Sequence, residues 1–104
     1  FHNEVMKLFN NCEALMRSKN KDYNNSEYPF HNFERVEQLG ICSTEKGILV
    51  RMNDKFSRIC NLIDKNPAVA DEKIEDTLID LINYSAILLI YIKQKKKSDK
   101  NAHN

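Results

Sequence analysis

The sequence predicts an all-α protein, a small antiparallel bundle of about four helices with an apolar C-terminal helix at its centre. The 104 residues include only two Gly and two Pro, so few positions interrupt a helix. Apolar residues recur at helical spacing in four segments, and short polar stretches separate them. The segment 76–92 is apolar on nearly every side, which is typical of a helix surrounded by the rest of its domain.

Length, charge and cysteine content narrow the class of protein. A chain of 104 residues forms one domain, expected over residues 1–92, and we expect 93–104 to be a disordered basic tail. Apart from that tail, a net charge of +1 gives no strong nucleic-acid-binding signal, and no apolar run is long enough to span a membrane. Three widely spaced cysteines favour a reducing, cytoplasmic setting, with Cys12 and Cys60 as small buried residues.

The first two helices are predicted over residues 1–18 and 30–39. The apolar periodicity of the first helix stops at Ser18, and residues 19–29 form an Asn-rich stretch that we expect to be a polar loop. In the short second helix Phe30, Phe33 and Val36 share one face. Gly40 is suited to end it.

The third and fourth helices follow. Ser43 or Thr44 is expected to cap the third helix. Its apolar stripe is formed by Leu49, Met52, Phe56, Ile59 and Ile63. Asn66 and Pro67 are expected to end it, residues 68–70 to cross over, and Asp71 to cap the last helix. A helix that is apolar all round has too few neighbours in so small a domain, so we expect self-association through the last helix or the first one.

A narrow polar stripe runs along the apolar last helix. Asp76, Asp80 and Asn83 recur at spacings of four and three residues, with Thr77 and Tyr84 beside them. Carboxylates that are partly inside a core are costly unless cations, hydrogen-bond donors or a metal satisfy them. Some group must therefore face this stripe.

The third helix offers cations that can face it, because Arg51, Lys55 and Arg58 are spaced four and three residues apart. In one interpretation, Asp76 and Asp80 pair with Arg58 and Lys55, and the network only fixes the packing of an interaction module.

In the other interpretation the same groups hold a phosphorylated ligand. Arginine and lysine would bind the phosphates, and the carboxylates would hold Mg²⁺ or sugar hydroxyls. Tyr84 or Tyr23 would stack on a base. Asp22, next to Tyr23, is expected to bind a ribose hydroxyl or to cap the loop.

Three groups of residues then carry a family resemblance. They are Lys19-Asn20-Lys21-Asp22-Tyr23, Asp54-Lys55 with Arg58-Ile59, and Asp76-Thr77 with Asp80, Asn83 and Tyr84. In this order they resemble a family of small helical phage and prophage proteins, the nucleotide modification associated domain, type one. The resemblance spans about residues 12–90. It implies a phage or prophage origin, a bacterial host cytoplasm, and binding or modification of nucleotides.

A more distant resemblance is to the all-helical nucleoside triphosphate pyrophosphohydrolases of the MazG type, which hold Mg²⁺ with paired acidic motifs. Glu34-x-x-Glu37 and Glu72-x-x-Glu75 followed by Asp76 carry this resemblance, although the second pair departs from the ExxD pattern of that family. It implies that Mg²⁺ bridges the phosphates and activates water. Metal-dependent turnover would distinguish this hydrolase from a protein that binds or sequesters a nucleotide. A complete lack of nucleotide binding would favour the interaction module.

Overall fold

The computed structural model describes the backbone of residues 1–23, 30–65 and 67–102, and the side chains of residues 1–21, 30–65 and 73–101. Four helices occupy these ranges: α1 (His2–Tyr23), α2 (His31–Gln38), α3 (Thr44–Leu62) and α4 (Pro67–Ala102). No strand is found in the described ranges, which confirms the predicted all-α class. Within the same ranges, none of the helices combines the length and the apolar character that crossing a bilayer requires.

Helix α4 is the central element, as the sequence predicts, and α1 packs along one side of it. The backbone carbonyl of Cys12 accepts a hydrogen bond from Asn83 Nδ2 at 3.0 Å, and Lys19 reaches Asp80 further along α1. Because these contacts progress in opposite directions along the two helices, α1 and α4 are antiparallel.

Helix α3 packs along the other side of α4, also in the antiparallel sense. Glu45 at the start of α3 pairs with Lys95 near the end of α4, and Lys55 pairs with Asp80 in the middle. Ile48 is fully buried between these two levels. The three helices form a layer in the order α1, α4, α3.

Helix α2 lies across one side of this layer, which we call the front. Its neighbour Phe30 and its own Phe33 contact Tyr91 and Tyr84 of α4 edge to face, with ring centroids 5.3 and 6.2 Å apart. Gly40, at φ +77°, ends the turn after α2 as predicted. The predicted cap of α3 is also found, since the Ser43 hydroxyl accepts a hydrogen bond from the Lys46 N–H at 3.2 Å.

The predicted loop over residues 19–29 is wrong in its first part, because α1 continues through Tyr23. Neither Gly nor Pro occurs between Ser18 and Tyr23, and Lys19 is held against α4 by its ion pair with Asp80. Tertiary contact therefore extends a helix beyond the end of its apolar periodicity. Residues 24–29 lie outside the described residues.

Helix α4 is longer than predicted at both ends. It begins at Pro67, so residues 68–70 are helical rather than a crossover, and Asp71 lies inside the helix instead of capping it. Proline is favoured at the first helical position, where its missing N–H costs nothing. At the other end α4 continues to Ala102, whereas the sequence predicts a disordered tail from residue 93. Lysine is a good helix former, and Lys95 is tied to Glu45.

Several predicted core residues are exposed in the single chain. The α3 stripe is covered only in part, with Phe56 60% exposed, and on α4 Leu89 is 54% exposed. Cys12 is buried as predicted, but Cys60 is exposed, because α4 covers a neighbouring face of α3. The described residues therefore leave one face of the central helix, and the adjoining face of α3, exposed.

Candidate functional site

A cleft opens on the front, where all four helices contribute side chains. The space open to the centre of a water molecule inside it is about 70 Å³, and the cleft opens to solvent. The polar and aromatic residues that line it include Lys19, Asn20, Asn32, Phe33, Arg51, Asp80, Asn83 and Tyr84. Beside the cleft, the rings of Phe33 of α2 and Tyr84 of α4 meet edge to face.

A carboxylate at the floor of the cleft links three helices. Asp80 Oδ1 lies 2.9 Å from Lys19 Nζ of α1, and Asp80 Oδ2 lies 2.8 Å from Lys55 Nζ of α3. The Asp80 side chain is only 17% exposed, so both ion pairs are partly shielded from water. Burial raises the pKa of Asp80, but the hydrogen bonds and charges of Lys55 and Lys19 outweigh it and hold that pKa below its usual value. Asp80 is thus a carboxylate at neutral pH.

Arg51 of α3 also lines the cleft. Its guanidinium carbon lies 4.8 Å from the centroid of the Phe33 ring, a cation–π geometry that fixes the orientation of the side chain. No ion pair or side-chain hydrogen bond joins Arg51 to any other described residue. Its N–H groups are therefore not used by the described part of the protein.

The charges of the described residues around the cleft do not balance. Among these residues, Lys19, Lys55 and Arg51 contribute three positive charges against the one negative charge of Asp80. An excess of two positive charges beside a partly enclosed, aromatic-lined space attracts a small anion. Asn20 and Asn32 add amide groups that can both donate and accept hydrogen bonds.

The structure brings together several of the side chains that the sequence predicts to be functional. Arg51, Asp80 and Tyr84 line the cleft, and Lys55 is joined to it by its ion pair with Asp80. Arg58 lies outside it, exposed on the same face of α3 about 10 Å beyond Arg51 along the helix axis.

Other predicted residues lie beyond the cleft. Asp76 is exposed and makes no ion pair with a described residue, so of the two predicted pairs only the one between Asp80 and Lys55 is found. Asp22 and Tyr23 form the last turn of α1, but their side chains lie outside the described residues.

Sequence reasoning missed several residues of the cleft, among them Lys19, Asn20, Asn32 and Phe33. The sequence places Phe33 on the apolar face of the second helix, and its ring is indeed buried, but it also carries Arg51. Lys19 belongs to a motif that carries the family resemblance, yet the sequence pattern puts it in a loop without a specific role. Its spacing of seven residues from Cys12, two helical turns, could have indicated that it lies on the side of α1 that faces α4.

The described donor set does not fit a Mg²⁺ ion. Both oxygens of Asp80 are engaged by ammonium groups, and among the described residues no group of three or more His, Cys, Asp or Glu side chains is placed to hold a metal. Mg²⁺ prefers six oxygen ligands, several of them water. The Glu72 side chain lies outside the described residues, so the predicted use of Asp76 and Asp80 as ligands stays a prediction.

The acidic pair of α2 is occupied elsewhere. Glu37 Oε1 accepts a hydrogen bond from the Thr44 N–H at 3.2 Å, which supports the start of α3. Glu34 lines a separate depression beside Tyr91 and Lys95. Neither glutamate lines the cleft, and the predicted hydrolase motif is untested at Glu72.

These features define a class of protein, a small all-helical domain with a positively charged, aromatic-lined cleft. The chain belongs to the family described as nucleotide modification associated domain 1, whose family model matches residues 19–92. The match covers more than two thirds of the chain and begins at the lysine that binds Asp80. No curated protein and no solved structure matches the chain.

Proposed function

We propose that the front cleft binds a nucleotide or a nucleotide-like ligand, with phosphate oxygens on Arg51 and Lys55 and a base against Phe33 and Tyr84. The observation that carries the proposal is the Arg51 guanidinium, which is stacked on Phe33 and has no hydrogen-bonding partner among the described residues. A planar guanidinium held in this way can grip a phosphate with two parallel hydrogen bonds.

Family membership supports the same chemistry. The family description associates it with nucleotide modification, and the matched residues include every polar cleft residue discussed above. We further propose that the protein is of phage or prophage origin, that it acts in the cytoplasm of a bacterial host, and that it modifies or sequesters a nucleotide. Arg58, Asp22 and Tyr23 are proposed to extend the site beyond the cleft.

Direct binding measurements on Arg51 variants test the proposal. Loss of a charge-assisted, bidentate contact costs about 1.5–3 kcal/mol, which is roughly a tenfold to hundredfold loss of affinity. We therefore expect Arg51→Ala to weaken binding by this factor, and Arg51→Lys to restore only part of it, because lysine lacks the planar fork. Isothermal titration of mono-, di- and triphosphate nucleotides and cyclic dinucleotides, with and without Mg²⁺, provides the measurement.

One further variant is a control, and a second one maps the extent of the site. Arg17→Ala removes an exposed arginine of α1 that pairs with Glu13, outside the cleft, and should leave the affinity unchanged. Arg58→Ala should weaken binding if the site extends along α3, and it should leave the affinity unchanged if the site is confined to the cleft. Wild-type protein that binds none of these nucleotides, or an Arg51→Ala variant that binds as tightly as the wild type, would contradict the proposal.

The same titrations distinguish the remaining functions. Binding that needs Mg²⁺, together with release of pyrophosphate, would favour the MazG-like hydrolase. Metal-independent binding without turnover would favour sequestration.

A second candidate function is an interaction module with a structural ion network, and the three-helix contact of Asp80 favours it. In that case Asp80→Asn lowers stability and no nucleotide binds. In a nucleotide site, Asp80→Asn also removes a charge that competes with phosphate for the lysines, so affinity should rise.

A further inference from the structure

The back of the layer, opposite the cleft, is a broad apolar surface that crosses three helices. We call it the back face and define it by seven large side chains that are each between 39% and 61% exposed. They are Leu8 and Leu15 of α1, Leu49, Phe56 and Ile63 of α3, and Leu78 and Leu89 of α4. On α3 and α4 each lies roughly 120–180° around its helix from the residues that line the cleft, and on α1 Leu8 and Leu15 lie roughly 120–140° from Asn20 but closer to Lys19, which faces α4.

The contacts between the helices align these side chains in rows. The register set by the Cys12 to Asn83 hydrogen bond places Leu8 level with Leu89, and the Lys95 to Glu45 pair places Leu49 at the same level. In the same way Leu15, Ile82 and Phe56 share a second, middle level. Leu78 and Ile63 lie near a third level. Small residues, Ser85 and Cys60, separate the rows. The result is a ridged surface, which suits packing against another layer of helices.

The dimensions of the back face match those of a specific interface. The back face is about 20 Å long and 25 Å wide, from the rise per residue and the spacing of packed helices. Burying it on two copies removes on the order of 1,000 Å², the lower bound for a specific interface.

The pattern along α4 indicates that the partner is a second copy in the opposite orientation. Leu78, Ile82, Ser85 and Leu89 are spaced four, three and four residues apart, so the spacing reads the same in both directions. A two-fold axis that lies between the two copies and is perpendicular to α4 places Leu78 of one copy against Leu89 of the other. The α3 stripe is symmetric in the same way, with Leu49 and Ile63 seven residues on either side of Phe56.

Charge at the ends of the α4 stripe fits the same arrangement. Glu75 and Lys93 are exposed, lie on the same edge of α4 just beyond Leu78 and Leu89, and make no ion pair with any other described residue. Under the two-fold axis, Glu75 of one copy lies opposite Lys93 of the other.

From the rows of apolar side chains, the area of the back face and this charge complementarity, we infer that the chain forms a two-fold symmetric dimer. In this dimer the two back faces pack together and the two clefts point outward.

Sedimentation of matched charge variants tests the dimer. The wild type should sediment at about twice 12.2 kDa at micromolar concentration. Phe56→Glu and Ser85→Glu place a charge inside the back face and should each give a monomer with unchanged helical circular dichroism. Val50→Glu is the control, since Val50 is equally exposed on α3 but lies outside the back face, and it should remain a dimer.

Two measurements on folded protein check the orientation. Alkylation of Cys60, which lies on the edge of the back face, should slow as protein concentration rises, whereas alkylation of Cys42 should not. Glu75→Lys and Lys93→Glu should each weaken the dimer several-fold, and the double exchange should restore it. Purely additive effects in the double variant would overturn the antiparallel arrangement.

Other results would overturn the dimer itself. These are a monomeric wild type, dissociation by Val50→Glu as large as that by Phe56→Glu, or a monomer that floats with phosphatidylglycerol vesicles. The last would assign the back face to a lipid surface. None of these outcomes bears on nucleotide binding, because the cleft lies on the opposite side of the layer.

Discussion

At the scale of single residues, Asp80 determines much of the behaviour of the molecule. It joins α1 and α3 to α4 through two lysines, and it sets the net charge of the cleft. Such a carboxylate stabilises the fold only while it is ionised. Its lowered pKa therefore links folding stability to pH, and the sign of that link is fixed by the direction of the shift.

The pH dependence follows from this link. Because the pKa of Asp80 is lower in the folded than in the unfolded state, its contribution is fully present above the unfolded value of about 3.9 and is lost as pH falls through the folded value. We expect Asp80→Asn to lower the free energy of unfolding by about 1 kcal/mol at neutral pH. The difference from the wild type should shrink in acid.

Urea unfolding of both proteins at neutral and acidic pH provides the measurement. Asp64→Asn is a suitable control, because Asp64 is exposed and makes no ion pair with a described residue. A difference between wild type and Asp80→Asn that stays constant with pH would show that the two ion pairs do not stabilise the fold.

At the scale of helices, α2 and α3 approach each other closely because α3 has a glycine, Gly47, where the two helices meet. A Cβ atom at Gly47 would lie 2.8 Å from Val36 Cγ2, closer than real side chains approach. Gly40 differs, since nothing lies within 4 Å of its Cβ position and only its φ of +77° requires glycine. The two glycines thus serve different purposes, one giving space between helices and the other a left-handed turn.

Substitution at Gly47 should show this difference. Alanine is favoured over glycine inside a helix by about 1 kcal/mol, yet we expect Gly47→Ala to destabilise the protein because α2 must move away from α3. In the double variant with Val36→Ala the clash is removed, and the helix propensity of alanine should recover stability. Thermal unfolding of the single and double variants measures the coupling. Additive effects of the two substitutions would mean that the helices do not meet as closely as described.

At the scale of the whole molecule, the two sides of the layer have different properties. The front carries the charged cleft, and the back carries apolar rows that the single chain leaves open. Large apolar surfaces of this kind on a folded domain mark an interaction site. Stability should therefore depend on assembly as well as on the internal core, which is small in the described residues.

If the chain assembles through the back face, its melting temperature should depend on protein concentration. An associating protein gains stability by mass action, so the melting temperature of the wild type should rise with protein concentration. That of the Phe56→Glu monomer should be lower and constant. A differential scanning calorimetry series over a hundredfold range of concentration measures this. A wild-type melting temperature that does not change with concentration would argue against assembly through the back face.

The sequence alone determines the fold class, the central position of the last helix, a cap at Ser43 or Thr44 and the Gly40 stop, because these follow from local periodicity and backbone preference. It also selects Arg51, Lys55, Asp80 and Tyr84, since their spacing places each on a known side of its helix. Only the tertiary structure decides that Lys19 belongs to α1 and binds Asp80, and that Phe33 carries Arg51. Only the structure decides which apolar stripe stays uncovered. These outcomes depend on how helices distant in sequence are rotated and aligned, and helical spacing within one segment carries no information about that.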